Sequence, residues 1–278
     1  MEIAAIGRDI VVNRVDCLDL ARTLDCGQAF RWSQTEDGRW HGVVRGTALA
    51  ISQEGDRITF YGTTRAVFDR IWALYFDLGR NYPQMVARLC EDPVLARAVR
   101  EHRGIRILRQ EPWEALCSFI ISQNNNIPRI KGIIARLCEY FGERASGGGF
   151  AFPGPERLAP LEPEDLAVLR AGFRARYIID AARKVSDGTV PLDGLDYLPI
   201  DEARARLMQI TGVGIKVADC TLLYGAGRLE ICPMDVWMKR VIAAFYPQGM
   251  PPCTAGLEGV AQQYLFHYAR TSGVLSAG

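Results

Sequence analysis

Thr211-Gly212-Val213-Gly214-Ile215-Lys216-Val217-Ala218-Asp219-Cys220 decides how this chain is read. Its two glycines open backbone angles closed to other residues, so a helix running up to Ile210 can turn sharply and a second can start at once. The pattern predicts a helix-hairpin-helix. Such a turn leaves the amides of Gly212, Val213 and Gly214 without intrahelical partners, and with the positive end of the helix dipole they offer a seat for a phosphate. Val213, Val217, Cys220 and Tyr224, spaced four, three and four apart, mark the buried face. Lys216 lies in the first turn beside that stripe. An ammonium at a helix N-terminus, its stem in apolar surroundings, is disfavoured twice over, which favours a neutral, nucleophilic amine.

Asp235 follows 19 positions after Lys216, within Cys232-Pro233-Met234-Asp235-Val236-Trp237. The proline breaks the preceding segment, and Asp235 suits the N-cap of a helix over 236–246. A carboxylate there can polarise the lysine or stabilise positive charge on a reacting sugar. Both features also serve plainer ends. A GVG turn grips phosphate in proteins that do no chemistry, and an Asp after Pro is commonly a cap and nothing more.

The chain has 278 residues, 49% apolar and 23% charged, which is ordinary globular usage with length for one or two cores. A net charge of +1 does not announce nucleic-acid binding, so a DNA-directed function needs a local patch and specific motifs. The only lysines are Lys131, Lys184, Lys216 and Lys239, and of these only Lys216 sits in a glycine turn. Eight cysteines are scattered without a CxxC pair, and the N-terminus carries no secretory signal, so reduced thiols and a cytoplasmic location are expected. His41, His102 and His267 lack ligand spacing, so no metal site is expected. No apolar run approaches membrane-spanning length.

The first hundred residues differ from the rest. Short β-rich runs at Phe30–Ser33, Trp40–Val44, Ala48–Ile51 and Arg57–Tyr61 are divided by turn signals, which predicts an antiparallel meander. Val67, Ile71, Leu74, Tyr75 and Leu78 then share a helical face, and Asp92-Pro93 opens another helix. From about residue 105 the pattern is helical. Trp113, Leu116, Cys117 and Ile120 form one stripe, and a helix over Ile127–Phe141 carries Ile130, Ile134 and Leu137. Residues 143–155 read as a Gly- and Pro-rich surface loop. The expected fold class is α+β, with an antiparallel sheet domain over 1–104 and an all-α helix-hairpin-helix domain over 105–278.

ITGVGIKVADC (from Ile210) followed by PMDVWMKR (from Pro233) resembles the helix-hairpin-helix DNA glycosylase superfamily, and within it the 8-oxoguanine DNA glycosylase branch. Four further stretches match that branch in order. Asp25-Cys26-Gly27-Gln28-Ala29-Phe30-Arg31-Trp32 resembles its GQ-x-FRW signature. Ser122-Gln123-Asn124-Asn125-Asn126-Ile127-Pro128-Arg129 resembles its asparagine motif. Gly172-Phe173-Arg174-Ala175-Arg176-Tyr177 is similar to its GYRARY run, and Ala261-Gln262-Gln263-Tyr264-Leu265-Phe266 to its AQ-x-x-LF run.

The resemblance implies a bifunctional glycosylase and abasic-site lyase acting on duplex DNA that contains 8-oxoguanine, with Lys216 as nucleophile and Asp235 as its acidic partner. It implies that the Gly27 carbonyl accepts from the proton that 8-oxoguanine carries at N7, where guanine presents an acceptor. Gln262 would read the Watson–Crick edge, with Phe266 and Cys220 covering the two faces of the flipped base. Asn124, Arg129 and Arg174 would engage the orphaned cytosine, with Phe173 as the wedge that fills the stack, a phenylalanine where tyrosine is common. Gly212, Val213 and Gly214 would grip the backbone, and Trp237 would donate to the lesion phosphate where many relatives have histidine. No iron–sulfur cluster is implied, since only Cys232 and Cys253 follow the catalytic region. A monovalent cation at the hairpin is left open, and a monomer is expected.

Taken by residue type alone, Gly27 is equally a turn, the asparagines helix caps, Phe173 and Phe266 core. A neighbouring glycosylase branch for other oxidised or alkylated bases, or a non-catalytic hairpin DNA-binding protein, would share the hairpin.

Overall fold

The structure, a computed structural model, describes residues 1–272; the end of the expected second domain, 273–278, lies outside the described residues. Six strands, β1 (Glu2–Ile6), β2 (Asp9–Asn13), β3 (Trp32–Gln34), β4 (Trp40–Val44), β5 (Thr47–Glu54) and β6 (Arg57–Tyr61), lie in the order β1-β2-β6-β5-β4-β3. Thirteen α-helical segments accompany them among the described residues: α1 (Leu20–Leu24), α2 (Arg65–Val67), α3 (Ala73–Tyr75), α4 (Tyr82–Leu89), α5 (Pro93–Glu101), α6 (Pro112–Ser122), α7 (Ile127–Phe141), α8 (Pro155–Leu158), α9 (Arg174–Ser186), α10 (Ile200–Leu207), α11 (Ile215–Cys220), α12 (Val236–Phe245) and α13 (Glu258–Thr271). The described residues gather into two compact units, one of residues 1–28, 52–109 and 227–272, the other of residues 29–51 and 110–226.

In the first unit, β2 pairs antiparallel with β1 and β6, setting Ile10 opposite Phe60 and Val12 opposite Ile58, all four buried. Phe60 meets Phe68 and Phe76 edge to face, with ring centroids 4.9 and 5.7 Å apart. Burying a side chain of this kind contributes about 1.5–3 kcal/mol. The sequence reading lacks β1 and β2 because neither alternates: β1 is almost wholly exposed, whereas Ile10, Val11 and Val12 are all buried. Of the stripe expected from Val67 to Leu78, Ile71, Tyr75 and Leu78 are buried, Val67 is half-buried and Leu74 is not buried. A π-helical turn, Phe68–Trp72, joins α2 to α3 and carries an extra residue, so Trp72 and Phe76 are buried while Leu74 turns outward, 45% exposed.

In the second unit, β3, β4 and β5 form an antiparallel meander in which Trp32 faces Gly42. The indole lies flat on that glycine, since a Cβ there would be 2.5 Å from the ring. α6 is buried all round from Ala115 to Ile121, more than the single stripe foreseen, because α7, α9 and α11 all pack on it. α7 spans the expected residues with Asn126 as its N-cap. The glycine-rich excursion is anchored: Ser146 accepts from Ala48 N–H and donates to Gly46 through backbone bonds of 2.8 Å.

Candidate active site

Between α10 and α11 the chain turns at Gly212, whose φ of +79° places it in the left-handed region. A Cβ there would stand 2.4 Å from the ring of Tyr177, so the position excludes other side chains twice, by backbone and by space. Gly214 is different from the expectation: its φ is −102° and nothing lies within 4 Å of its would-be Cβ, so it serves as the open N-cap of α11. Val213 N–H, expected to be unpartnered, donates to Ile210 O at 3.0 Å because the turn itself claims it. No acceptor among the described residues takes the Gly212 or Gly214 N–H.

Four charged side chains fix this turn. Asp180 of α9 accepts the Thr211 amide at 2.7 Å and the Lys184 ammonium at 2.9 Å, and Lys184 also donates to Gln209 O. Burial pushes the Asp180 carboxyl up, but the Thr211 amide and Lys184 outweigh it and hold it below its ordinary value. Arg204 of α10 reaches Asp219 of α11 at 2.7 Å, tying the two helices of the hairpin together. Burial raises the Asp219 carboxyl despite that partner.

Lys216, in the first turn of α11, is half-buried, and Val217 and Cys220 of the expected stripe are buried. Its Nζ donates to Ser122 Oγ at 3.4 Å and stands 5.1 Å from the centroid of the Phe119 ring. That ring is stacked on Tyr224 at 5.2 Å. The amine therefore points at the C-terminal end of α6, where the asparagine motif begins.

There the three asparagines separate by role. Asn126 caps α7 by accepting Arg129 N–H, and Asn125 donates to Ile121 O. Asn124 is exposed with a φ of +46°, a left-handed conformation that asparagine tolerates better than most. Arg129 is exposed one turn into α7. Arg174 is 3% exposed and donates to the carbonyls of Gln123, Asn124 and Ala171, so it holds the Asn124 bend from within. Phe173 is not core: it is 47% exposed, with its ring 4.5 Å from the Arg174 guanidinium. Lys216, Asn124, Arg174 and Phe173 are thus brought together around the end of α6, and Cys220 is buried one turn along α11.

The first unit assembles a second group. Gly27, φ +88°, lies between Cys26 and Gln28, both buried. Gln28 donates to Thr23 O and Arg106 O at 2.9 and 2.7 Å and accepts Leu108 N–H at 2.9 Å. On α13, Gln262 is 5% exposed, and its Oε1 is buried with no hydrogen-bond partner. A buried amide oxygen without a donor is costly unless something supplies one. Phe266, one turn on, is half-buried, with the Arg270 guanidinium 5.2 Å from its ring. Asp235 caps α12 by accepting Met238 N–H at 2.8 Å, and Trp237 follows it, half-buried beneath Arg240.

The reading from sequence misses Ser122 and Phe119 as neighbours of the amine, Tyr177 as the roof over Gly212, and Asp180 as the anchor of the turn. Of these, Tyr177 lay inside a quoted motif. Ser122 opened another, but nothing local tied its hydroxyl to a lysine 94 positions away.

Residues 117–250 match the family described as helix-hairpin-helix-GPD superfamily base excision DNA repair proteins, and residues 10–116 match the 8-oxoguanine DNA glycosylase N-terminal domain. The fold and the glycine hairpin carrying a lysine define a protein of the helix-hairpin-helix base excision class. An N-glycosylase/DNA lyase of Saccharomyces cerevisiae is 32% identical over 266 residues, covering 85% of this chain and 70% of that protein. A structure of MBOgg1 with a low-affinity DNA ligand superimposes with a TM-score of 0.91 at 41% identity, covering 98% of this chain and 99% of the other. The Clostridium acetobutylicum 8-oxoguanine glycosylase/lyase, in complex with double-stranded DNA containing cytosine opposite 8-oxoguanine, gives 0.91 at 32% identity, covering 99% of each chain. The chain belongs to the 8-oxoguanine DNA glycosylase family of N-glycosylase/DNA lyases.

Proposed function

We propose that this chain excises 8-oxoguanine from duplex DNA in base excision repair and nicks the abasic strand, using Lys216 as its nucleophile. The observation that carries the reading is the setting of that amine. It lies at the mouth of a glycine turn with unclaimed amides, beside Ser122 and an exposed Phe173–Asn124 edge. A phosphate at the Gly212 and Gly214 amides would bring a deoxyribose within its reach.

The damaged nucleotide leaves the stack at a cost of a few kcal/mol, offset by Phe173 in the vacated space and by Asn124, Arg129 and Arg174 at the orphaned cytosine. Gly27 and Gln262 read the base, with Phe266 and Cys220 on its faces, and the orphaned Gln262 oxygen suits a base N–H. Lys216 attacks C1′ as the N-glycosidic electron pair departs with the base, which takes up a proton. Asp235 stabilises the charge developing on the sugar and helps prepare the amine. Ring opening gives the Schiff base. Loss of a C2′ proton then expels the 3′ phosphate by β-elimination, and hydrolysis returns the lysine.

Trp237 contacts the lesion phosphate. Neither metal nor iron–sulfur cluster has a role in this scheme, and a monovalent cation at the hairpin would only strengthen the phosphate grip. The division of labour follows domains 1–104 and 105–278. The protein works as a monomer on DNA in the cytoplasm; no helix of the described residues is long and apolar enough to cross a membrane. Excision assays on duplexes carrying 8-oxoguanine, oxidised pyrimidines and alkylated purines test the reading. 8-Oxoguanine opposite cytosine is expected to be the preferred substrate, and release of 3-methyladenine with 8-oxoguanine untouched would overturn it.

A further inference from the structure

Cys26, immediately before Gly27, is 1% exposed, and its sulfur has three hydrogen-bond partners. The thiol donates to Thr23 O at 3.4 Å and accepts from Gln28 Nε2 at 3.2 Å and from Gln263 Nε2 at 2.9 Å. Gln28 Nε2 shares its two N–H groups among this sulfur and the carbonyls of Thr23 and Arg106, so Gln263 makes the shorter and less divided donation to the thiol. Burial raises its pKa to about 11, which keeps the proton on sulfur throughout the neutral range.

Gln263 is 2% exposed and adjoins Gln262 on α13. Consecutive helical residues point about 100° apart. One amide of the pair therefore clamps the segment containing Gly27 while the other keeps its oxygen free of partners. Gln28, on the far side of Gly27, is bound by Thr23, Arg106 and Leu108. The Gly27 peptide is thus held from both flanks, and one of the two holds comes from α13.

We propose that Gln263, through Cys26, is a positioning residue for base discrimination: it sets the Gly27 carbonyl in register with Gln262, so that one carbonyl and one amide are presented to the same base. The inference rests on the proposed function. Loss of the clamp leaves the hairpin and the amine in place and affects only the choice between 8-oxoguanine and guanine.

The test is done in the excision-deficient Lys216→Gln protein, measuring affinities for duplexes with 8-oxoguanine, guanine or a stable abasic analogue opposite cytosine. Gln263→Leu is expected to reduce the 8-oxoguanine-to-guanine affinity ratio about tenfold, while affinity for the abasic duplex stays unchanged, as no base is being read. Cys26→Ala should do the same. The double variant should be no worse than either single one, and Cys26→Ser, which keeps a donor and two lone pairs, should restore most of the ratio.

Equal losses on all three duplexes, or additive losses in the double variant, would overturn the inference, and so would a ratio unchanged in both Gln263→Leu and Cys26→Ala. Should Gln263→Leu fail to fold, Cys26→Ala and Cys26→Ser decide by the same ratio. A parent Lys216→Gln protein with no preference for 8-oxoguanine over guanine would instead refute the proposed function itself.

Discussion

The ring of Tyr177 covers Gly212 so closely that a Cβ at the glycine would stand 2.4 Å from its Cδ2. Gly214, two residues on, has open space and an ordinary φ. Gly212→Ala should therefore destabilise the free protein by about 1–3 kcal/mol, and Gly214→Ala by a fraction of that. Denaturant unfolding of the two variants checks the asymmetry, and equal losses would contradict it.

Ser122→Ala removes the acceptor that the Lys216 amine contacts at 3.4 Å while leaving α6 intact. A hydrogen bond of this kind contributes about 0.5–1.5 kcal/mol, so single-turnover strand nicking should slow by roughly 2- to 10-fold with unchanged DNA affinity. An unaltered rate would mean the contact has no part in orienting the amine.

Arg174→Lys separates two roles of one side chain. A lysine cannot span the carbonyls of Gln123, Asn124 and Ala171 that the guanidinium bridges. We expect a loss of about 1–3 kcal/mol in the free protein, before any DNA is added, together with weaker preference for cytosine opposite the lesion. A variant that loses only the cytosine preference would show that the bend at Asn124 holds without it.

His102 and His267 meet edge to face at 4.6 Å, and His102 Nε2 lies 3.0 Å from Thr271 Oγ1. Burial lowers both imidazoles below the ordinary 6.5, assisted by Arg22 at His102, and by His102, Arg270 and Arg22 at His267; Glu101 and Asp25 act the other way. The unfolded chain binds these protons more readily, so stability should fall as pH drops below about 6.5. A His102→Asn/His267→Asn variant should lose less of its Tm than the wild type between pH 7 and pH 5. The buried carboxyls, raised in both proteins, cancel in that difference. Identical pH profiles would refute the effect.

What was legible in the chain was local. The hairpin, the Asp235 cap and the helix over Ile127–Phe141 follow from residues within a turn of one another, as does the Trp40–Val44 strand. What was not legible spans the chain: Ser122 to Lys216 is 94 positions and Cys26 to Gln263 is 237. Where β1 and β2 lack alternation, period counting had nothing regular to detect, and the π-helical turn at Phe68–Trp72 leaves Leu74 off the buried face. The asparagine motif lies between these cases. Its residue types suggested both capping and recognition, and only the backbone separates the asparagines, capping α7 at Asn126 and left-handed at Asn124.

The account depends most on one amine among the four lysines of the chain. Borohydride reduction during turnover, on 8-oxoguanine paired in turn with each of the four bases, followed by peptide mapping of the protein–DNA adduct, addresses it directly. The adduct is expected on Lys216, strongest opposite cytosine, and absent from Lys216→Gln although that variant still binds the lesion. An adduct on Lys131, Lys184 or Lys239, or base release by wild type with no trapped adduct at all, would contradict the assignment.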